Sequence, residues 1–368
     1  GKSTLIKILL EGLAIDAGSG ANAGDITVTG AVGATTPLND FSAQAGATIT
    51  VDDITTVGAG GIDLGSTTNA TTINLNGDLS TALNSGTTAG SIQIVATTNI
   101  VLDDVGDQVR LDASNGAGGA AGTVTIAGGA TVSSATPNED GLAIDTSSAT
   151  GTSQAIDLTA IMVSNLDHIS ANAGGSSVTA GVVSVDDGSG NGGVAIDFTG
   201  ATINLQGNLS TADDGATGTG GDVSLDGAVV LNGFNVRIDT TGDGVNGDVT
   251  VTGAITDDVA VGGPGRDLTI DAGNAGGAVD LQGAATIGSL DVEDAGNVTL
   301  DDVTTDATVA AINVGSSNPV TSITLNGDLN SGAGTNAGDI TLNSDNIDLA
   351  DATVTIDADN GGVDGAIV

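Results

Sequence analysis

The chain of 368 residues lacks cysteine, tryptophan and tyrosine, and it contains only four prolines and three phenylalanines. Without cysteine it forms no disulfide framework and offers no thiol nucleophile. Aromatic residues make up 1% of the sequence, which argues against ordinary globular domains because large aromatic side chains supply much of the buried area of such cores. The apolar residues are Ala, Val, Ile and Leu, which suit a narrow core built from many similar layers.

Basic residues are also scarce. Five Lys and Arg stand against 46 Asp and Glu, which gives a formal net charge of −41. Binding to nucleic acid is excluded, because phosphate contacts need clustered basic side chains, and an anionic membrane surface would repel the chain. Such self-repulsion is tolerated best in salty or divalent-rich surroundings, which indicates a secreted, extracellular protein. No apolar run is long enough to span a bilayer.

Glycine is abundant, with 60 residues, yet 39% of the sequence is apolar, and regular alternation of β-branched residues argues against disorder. Short segments such as residues 25–28, 123–126 and 248–251 alternate apolar with polar side chains, which is typical of strands with one buried face. Clusters of Gly, Asn and Asp interrupt them and predict turns. We therefore expect an all-β protein, with a helix-like pattern only near the N-terminus.

The sequence repeats itself three times. Leu13-Ala14-Ile15-Asp16 returns at Leu142 and, after a nearly equal interval, again at Leu268. Three more landmarks keep their order in each copy; they start at Ile49, Val183 and Val298, at Ile73, Ile203 and Ile323, and at Val109, Val236 and Val354. We divide the chain into an apolar segment, 1–12, interpreted as a cap or subunit-docking arm, and three units, 13–141, 142–267 and 268–368, the last ending within a repeat.

Two architectures use such short strands. A sandwich or barrel needs larger core residues and tight hairpins, whereas a solenoid needs only that each coil lays its strands on those of the coil before it. We predict a right-handed parallel β-helix, since parallel crossovers favour that hand, made of three units of about 125 residues and of coils of roughly 20 residues each.

Several stretches resemble a known group of proteins. Residues 24–38, 247–255 and 267–273 resemble the repeats of large bacterial exoproteins, the filamentous-haemagglutinin-like and autotransporter-like adhesins with β-strand repeats. The resemblance extends over nearly the whole chain after about residue 12, and it is specific through the order and number of its motifs. It implies a secreted, right-handed β-helix that acts in adhesion, biofilm or cell-surface architecture. It supplies no shared catalytic residues, and the family's secretion domain is not visible.

The expected function is therefore that of an extracellular structural protein, a subunit or segment of a surface filament that stacks head to tail on copies of itself. The first alternative is an adhesin stalk that recognises a surface or polysaccharide ligand. The second is a β-helical enzyme that acts on polysaccharides.

Acidic, glycine-rich turns are the candidate metal sites. Calcium takes six to eight hard oxygen ligands, and two turns concentrate them, with Asp239, Asp243 and Asp248 in one turn and Asp357, Asp359 and Asp364 in the other. These residues are the predicted Ca²⁺ ligands; no organic cofactor is expected. The competing interpretation is that Asp, Asn and Gly simply form turns.

We expect no enzymatic activity. The paired aspartates at 52–53, 103–104, 186–187 and 301–302 recur with the repeat, whereas a catalytic site should occur once, and adjacent strand residues point to opposite faces. His168 is the only histidine and is expected in a loop or facing solvent. Gly1-Lys2-Ser3-Thr4 lacks the first half of a phosphate-binding loop. Phe41, Phe198 and Phe234 are expected to fill the core.

Overall fold

A computed structural model describes most of the chain, namely residues 12–18, 23–82, 87–104, 108–136, 139–163, 166–185, 194–211, 220–242, 244–259, 265–274, 276–306, 311–332, 337–351, 353–359 and 364–368. These residues form strands and turns and no helix. None of them therefore belongs to a helix with the length and apolarity to cross a membrane. The all-β prediction is confirmed, while most of the proposed docking arm, residues 1–11, lies outside the described residues.

The chain divides into two compact units, Gly1–Val178 and Thr179–Val368. The first contains the strands β1 (Leu13–Asp16), β2 (Ile26–Val28), β3 (Phe41–Gln44), β4 (Thr48–Val51), β5 (Ile54–Thr55), β6 (Gly61–Leu64), β7 (Ala70–Leu75), β8 (Leu79–Ser80), β9 (Ser91–Leu102), β10 (Gln108–Asp112), β11 (Val124–Ala127), β12 (Thr131–Ser134), β13 (Gly141–Asp145), β14 (Ile156–Asp157), β15 (Met162–Val163) and β16 (Ile169–Asn172); β17 (Ser177–Ala180) falls at the division.

The second unit contains a comparable series. Its strands are β18 (Val183–Ser184), β19 (Val194–Leu205), β20 (Leu209–Ser210), β21 (Asp222–Leu231), β22 (Val236–Asp239), β23 (Val249–Val251), β24 (Ile255–Asp257), β25 (Asp267–Asp271), β26 (Ala278–Leu281), β27 (Ala285–Ile287), β28 (Ser289–Asp294), β29 (Asn297–Leu300), β30 (Val303–Thr305), β31 (Ile312–Val314), β32 (Ser322–Leu325), β33 (Leu329–Asn330), β34 (Ile340–Leu342), β35 (Ile347–Leu349) and β36 (Ile356–Asp357).

The strands of the first unit stack in parallel columns that form three sheets. Each sheet can be followed along a column of inward-pointing apolar residues, one from each coil. The first sheet runs through Leu13, Phe41, Ile62, Ile92 and Val124, the second through Ile26, Ile49, Ile73, Ile100, Val132 and Val163, and the third through Ile54, Leu79, Leu111, Ile144 and Ala171. The parallel β-helix predicted from the sequence is confirmed.

The second unit has the same construction, again with three columns. The first runs through Ile203, Val229, Ile255, Ala285, Val303, Leu329 and Ile356, the second through Val183, Leu209, Ile238, Ile270, Val292, Val314 and Leu342, and the third through Ile196, Val223, Val249, Val279, Val298, Ile323 and Ile347. The long strand β19 contributes to two columns, and its register shifts between Thr199 and Thr202, where the chain turns from one sheet to the next.

Alternation produces these columns. In β4, Ile49 and Val51 are fully buried, while Thr48 and Thr50 are half-buried on the outer side. Because successive residues of a strand point to opposite faces, the inner row of each coil meets the inner row of the next, and every strand pairs its backbone along the axis. Burial of such Ile, Val and Leu side chains stabilises the fold by about 1.5–3 kcal/mol each.

Most coils are longer than the sequence suggested. Among the paired strands, the step from one coil to the next is shortest between Ala285 and Val303 and longest between Val109 and Leu142. The shortest step comes close to the predicted coil length, and the longest exceeds it by more than half. The prediction of coil length is thus wrong for most steps, because the turns between sheets contain more residues than the strands alone imply.

The sequence repeat does not coincide with a whole number of coils. Leu13 lies in the first sheet, and four coil steps lead along that sheet to Val124; its repeat, Leu142, comes two sheets later, in the third. In the second unit, Ile203 and its copy Ile323 likewise lie in the first and third sheets. One repeat therefore spans four coils and two further sheets, so successive copies occupy different sides of the coil.

Candidate functional site

Aspartates at strand ends hold the turns that follow them. In several of them the Oδ1 atom accepts a hydrogen bond from the backbone N–H two residues later: Gly18 donates to Asp16 (2.7 Å), Ser147 to Asp145 (3.0 Å) and Gly273 to Asp271 (3.2 Å). This Asx-turn geometry fixes the chain as it leaves a strand. Much of the acidity thus follows from turn formation repeated coil after coil.

The first predicted calcium turn is divided between different partners. The Oδ1 atom of Asp239 accepts hydrogen bonds from the N–H and hydroxyl of Thr241, and its Oδ2 atom lies 3.4 Å from Arg237 Nε. Asp248 is exposed, and its Oδ1 atom accepts the N–H of Ala278 at 2.7 Å. Asp243 lies outside the described residues. The carboxylates of Asp239 and Asp248 therefore hold different parts of the backbone.

The second predicted turn brings two carboxyl groups together. Asp359 and Asp364 share a side-chain hydrogen bond, and this bond, together with the charge of Asp359, raises the pKa of Asp364. Asp357 accepts the N–H of Asp359 at 2.9 Å. Within the ranges that the structure describes, no three His, Cys, Asp or Glu side chains form a group that could hold a metal ion, so calcium binding at these turns stays a prediction.

Arginines link the carboxylates of neighbouring coils, a feature that sequence reasoning missed. Arg237 contacts Asp239, Asp271 at 2.7 Å and Glu293 at 2.5 Å, and so spans three coils. Burial raises the pKa of Asp271, and the charge of Asp239 raises it further, whereas the Gly273 N–H and Arg237 oppose the shift. The only sequence signal is the motif that Val236-Arg237-Ile238-Asp239 shares with Val109-Arg110-Leu111-Asp112.

In the first copy of this motif, which starts at Val109, an arginine also bridges two coils, but the third copy, which starts at Val354, has no such arginine. Arg110 lies 3.2 Å from Asp112 and 3.0 Å from Asp145 of the next coil. In the third copy the equivalent position is Thr355, next to the acidic turn that begins at Asp357. The positive charge that bridges coils in two copies is therefore replaced by a neutral side chain in the third.

Paired aspartates have structural partners. Asp53 Oδ1 accepts the N–H of Asp78 at 2.9 Å, and Asp302 Oδ1, at the equivalent position, accepts the N–H of Asp328 at 2.7 Å. Each carboxylate thus ties its turn to the following coil. The pair at 186–187 lies outside the described residues. His168 is partly buried; its Nδ1 lies 3.1 Å from Asp167 and its Nε2 lies 2.5 Å from Gln108 Nε2.

Two phenylalanines fill the core as expected, since Phe41 and Phe198 are almost fully buried. Phe234 was expected in the core, and this expectation is wrong: its side chain is 57% exposed in the turn between β21 and β22. An open groove in the first unit, with a volume of about 330 Å³, passes over Phe41 and along Ser42, Asp63 and Gln93. Asp63 there is held by the N–H and hydroxyl of Ser66.

Buried hydroxyl groups close many of the turns. Thr81, Thr146, Thr211, Thr240 and Ser331 each donate to a backbone carbonyl at the far end of a turn, over 2.5–2.7 Å. Two threonines break the rule. Thr56 and Thr305 are fully buried, yet their Oγ1 atoms have no hydrogen-bond partner. The sequence did not reveal this contrast, because all these positions look alike as Thr or Ser at the end of a strand.

A small cavity lies beside one of these unpaired hydroxyls. Its volume is about 40 Å³, and its walls are Asp257, Val259, Thr286, Ile287, Thr304, Thr305 and Asp306. Asp257, Ile287 and Thr305 are the last residues of the stacked strands β24, β27 and β30. The cavity therefore sits where three successive coils leave the same sheet.

In comparisons with known proteins, the chain matches no protein-family model, no curated protein and no solved structure. The fold is established by the geometry above, and the resemblance to bacterial adhesin repeats stays a prediction.

Proposed function

We propose that this chain is an extracellular structural protein, a subunit or segment of a surface filament, in keeping with its resemblance to adhesin repeats. The observation that carries the proposal is the stacking in each unit, where apolar residue lies over apolar residue and parallel backbone ladders follow the coil axis. Backbone hydrogen bonds along one direction make a stiff element, because every coil is held by its neighbours. The acidic outer surface keeps such elements apart until divalent cations bridge them.

Exposed apolar side chains in the coil of β35 support the proposal of head-to-tail stacking. Ile347 and Leu349 of β35 pack on Ile323 and Leu325 of the preceding coil, yet their side chains are 45% and 55% exposed. A further coil, supplied by more of the chain or by another copy, would bury them and pair the second edge of β35, which among the described strands pairs only with β32. We propose that a coil of this kind covers them in the filament.

Divalent cations are the proposed stabilisers of the acidic turn at Asp357, Asp359 and Asp364. In the two other copies an arginine offsets the equivalent aspartates, whereas Thr355 here leaves the charge to be offset by another cation. The hydrogen bond between Asp359 and Asp364 supports this idea, since it places two carboxyl groups side by side.

Electron microscopy of the purified chain, with Ca²⁺ and after chelation, tests the proposal. We expect end-to-end filaments with Ca²⁺ that shorten after chelation. The double variant Ile347→Lys, Leu349→Lys should prevent end-to-end contact, whereas the control Phe234→Ser, which removes an apolar side chain exposed in a turn, should assemble normally. Isolated particles whose length is the same with and without Ca²⁺ would overturn the filament proposal and favour a ligand-recognising stalk.

A further inference from the structure

Two residues in the wall of the cavity at the ends of β24, β27 and β30 have an unpaired buried oxygen, whereas the turn at Thr56 has one such residue. Thr305 is fully buried in its wall, and its Oγ1 atom has no hydrogen-bond partner. Asp306 is next in the chain, and its Oδ1 atom is also buried without a partner. An unpaired buried oxygen costs about 1–3 kcal/mol, more if it is charged, so two such atoms in one cavity indicate that something else satisfies them.

Turn formation does not explain this arrangement. In the next coil of the same sheet, the hydroxyl of Ser331 donates to the carbonyl of Gly338 at 2.6 Å, which closes the turn. The closest sequence counterpart of Thr304-Thr305-Asp306 is Thr55-Thr56-Val57, where an apolar residue replaces the acid. Asp306 is thus a local addition to the repeat, placed beside an unpaired hydroxyl.

The charges around the cavity favour a cation. Asp257 is oriented by two backbone donors, since its Oδ1 atom accepts the N–H of Val259 at 2.9 Å and its Oδ2 atom accepts that of Arg266 at 2.8 Å. Burial raises the pKa of Asp306, the N–H of Gly265 lowers it, and the charges of Asp257 and Asp267 raise it again. No wall residue is basic, and the guanidinium of the nearby Arg266 is paired with Asp258 at 3.0 Å.

We propose that this cavity binds one hard divalent cation, Ca²⁺, through the carboxylates of Asp257 and Asp306 and the hydroxyl of Thr305. Calcium takes hard oxygen ligands such as carboxylates and water, and a cavity of about 40 Å³ has room for an ion together with water. Two carboxylates are fewer than a closed protein site uses, so water completes the shell. The ion would join the ends of β24 and β30, which lie two coils apart in one sheet.

Calorimetric titration of the whole chain with CaCl₂ tests this site, in about 0.15 M salt to screen the general negative charge. Asp306→Val reproduces the natural Thr56-Val57 pair, and Asp306→Asn preserves the shape of the side chain. Asp348→Asn, at an exposed position in β35, removes the same charge away from the cavity. Thr56→Val is the control for Thr305→Val, because both hydroxyls are buried and unpaired.

We expect the parent chain to have a saturable Ca²⁺ site that depends on Asp306, apart from any binding at the acidic turn of Asp357, Asp359 and Asp364. Both Asp306 variants should weaken it by more than about tenfold, because even outer partners of metal ligands are worth about 10- to 100-fold in affinity, and Thr305→Val should weaken it several-fold. Asp348→Asn and Thr56→Val should leave it unchanged, with far-UV circular dichroism confirming the fold of each variant. A titration with no saturable site, as for a cavity that holds only water, overturns the proposal, and so does equal binding by Asp306→Val. Filament formation is measured separately, so either proposal can fail alone.

Discussion

The same substitution should change stability in opposite directions at two neighbouring positions. Thr56 and Thr81 occupy consecutive coils of one sheet, and both are fully buried. The hydroxyl of Thr81 donates to the carbonyl of Gly90 at 2.6 Å, whereas that of Thr56 has no partner. Replacing each with valine keeps the branched shape and removes the hydroxyl, so the pair isolates the contribution of the hydrogen bond.

The expected magnitudes follow from the partners. Thr81→Val removes a hydrogen bond and leaves the Gly90 carbonyl without that donor, which should lower the free energy of unfolding by about 1–3 kcal/mol. Thr56→Val replaces an unsatisfied hydroxyl with a methyl group, which should raise it by up to about 1–2 kcal/mol. In a compact unit of this size, 1 kcal/mol corresponds to roughly 2–4 °C in the melting temperature.

Thermal unfolding followed by calorimetry or far-UV circular dichroism measures both changes; intrinsic fluorescence is of little use because the chain has no Trp or Tyr. Thr81→Ser, which keeps the hydroxyl, is the control and should lose less than Thr81→Val. Equal destabilisation by the two valine substitutions would refute the reasoning, since it would mean that the Thr56 hydroxyl is satisfied or that turn closure does not depend on these hydrogen bonds.

Three further predictions concern charge and backbone. Stability should fall as the pH rises above about 4, which is close to the pKa of an unfolded Asp, because carboxyl groups whose folded pKa is raised bind more protons in the folded state. Melting temperatures at constant ionic strength measure this effect. The groups with a raised pKa are Asp197, Asp222, Asp271, Asp291, Asp306 and Asp364. Arg237→Gln should cost about 1 kcal/mol at pH 7, as a networked ion pair does. The cost should be smaller near pH 4, because burial raises the pKa of its partner Asp271 and favours the uncharged form of that carboxyl; equal loss at both pH values in denaturant titrations would contradict this. Gly128→Ala should be much more destabilising than Gly129→Ala in the same titrations. Both glycines have positive φ, so alanine costs about 1–2 kcal/mol at either position, but only at Gly128 would the new Cβ also lie 2.0 Å from a backbone oxygen, that of Ala96. Similar losses at the two positions would exclude the steric contribution.

Local alternation made the strands and their inward faces predictable. Ile26, Ile49 and Ile73 each stand in a polar-apolar alternation, and the structure stacks them in one column. The turns were also predictable, because Asp and Gly follow the strands. These features depend on neighbours in the sequence, which a single chain displays directly.

Contacts between coils were not predictable in the same way. Arg237 is 34 residues from Asp271 and 56 from Glu293, and these separations depend on turn lengths that no local pattern specifies. The cavity was hidden for a similar reason, since Asp306 looks like any other acidic turn residue until Asp257 is placed two coils away. The spacing of the motifs gave the length of the repeat. The phase of the repeat, meaning the sheet in which each copy lies, could be found only from the actual number of residues in each coil.

That phase has a consequence for evolution by duplication. Because a repeat covers four coils and two sheets, a surface motif that is copied with its repeat turns by two thirds of a revolution and faces another direction. Duplication of the repeat alone therefore cannot place several copies of a motif side by side for multivalent binding to one flat surface, because it distributes the copies around the circumference of the coil. New recognition on a single side must instead arise by substitution within one copy, as the acid at 306 illustrates.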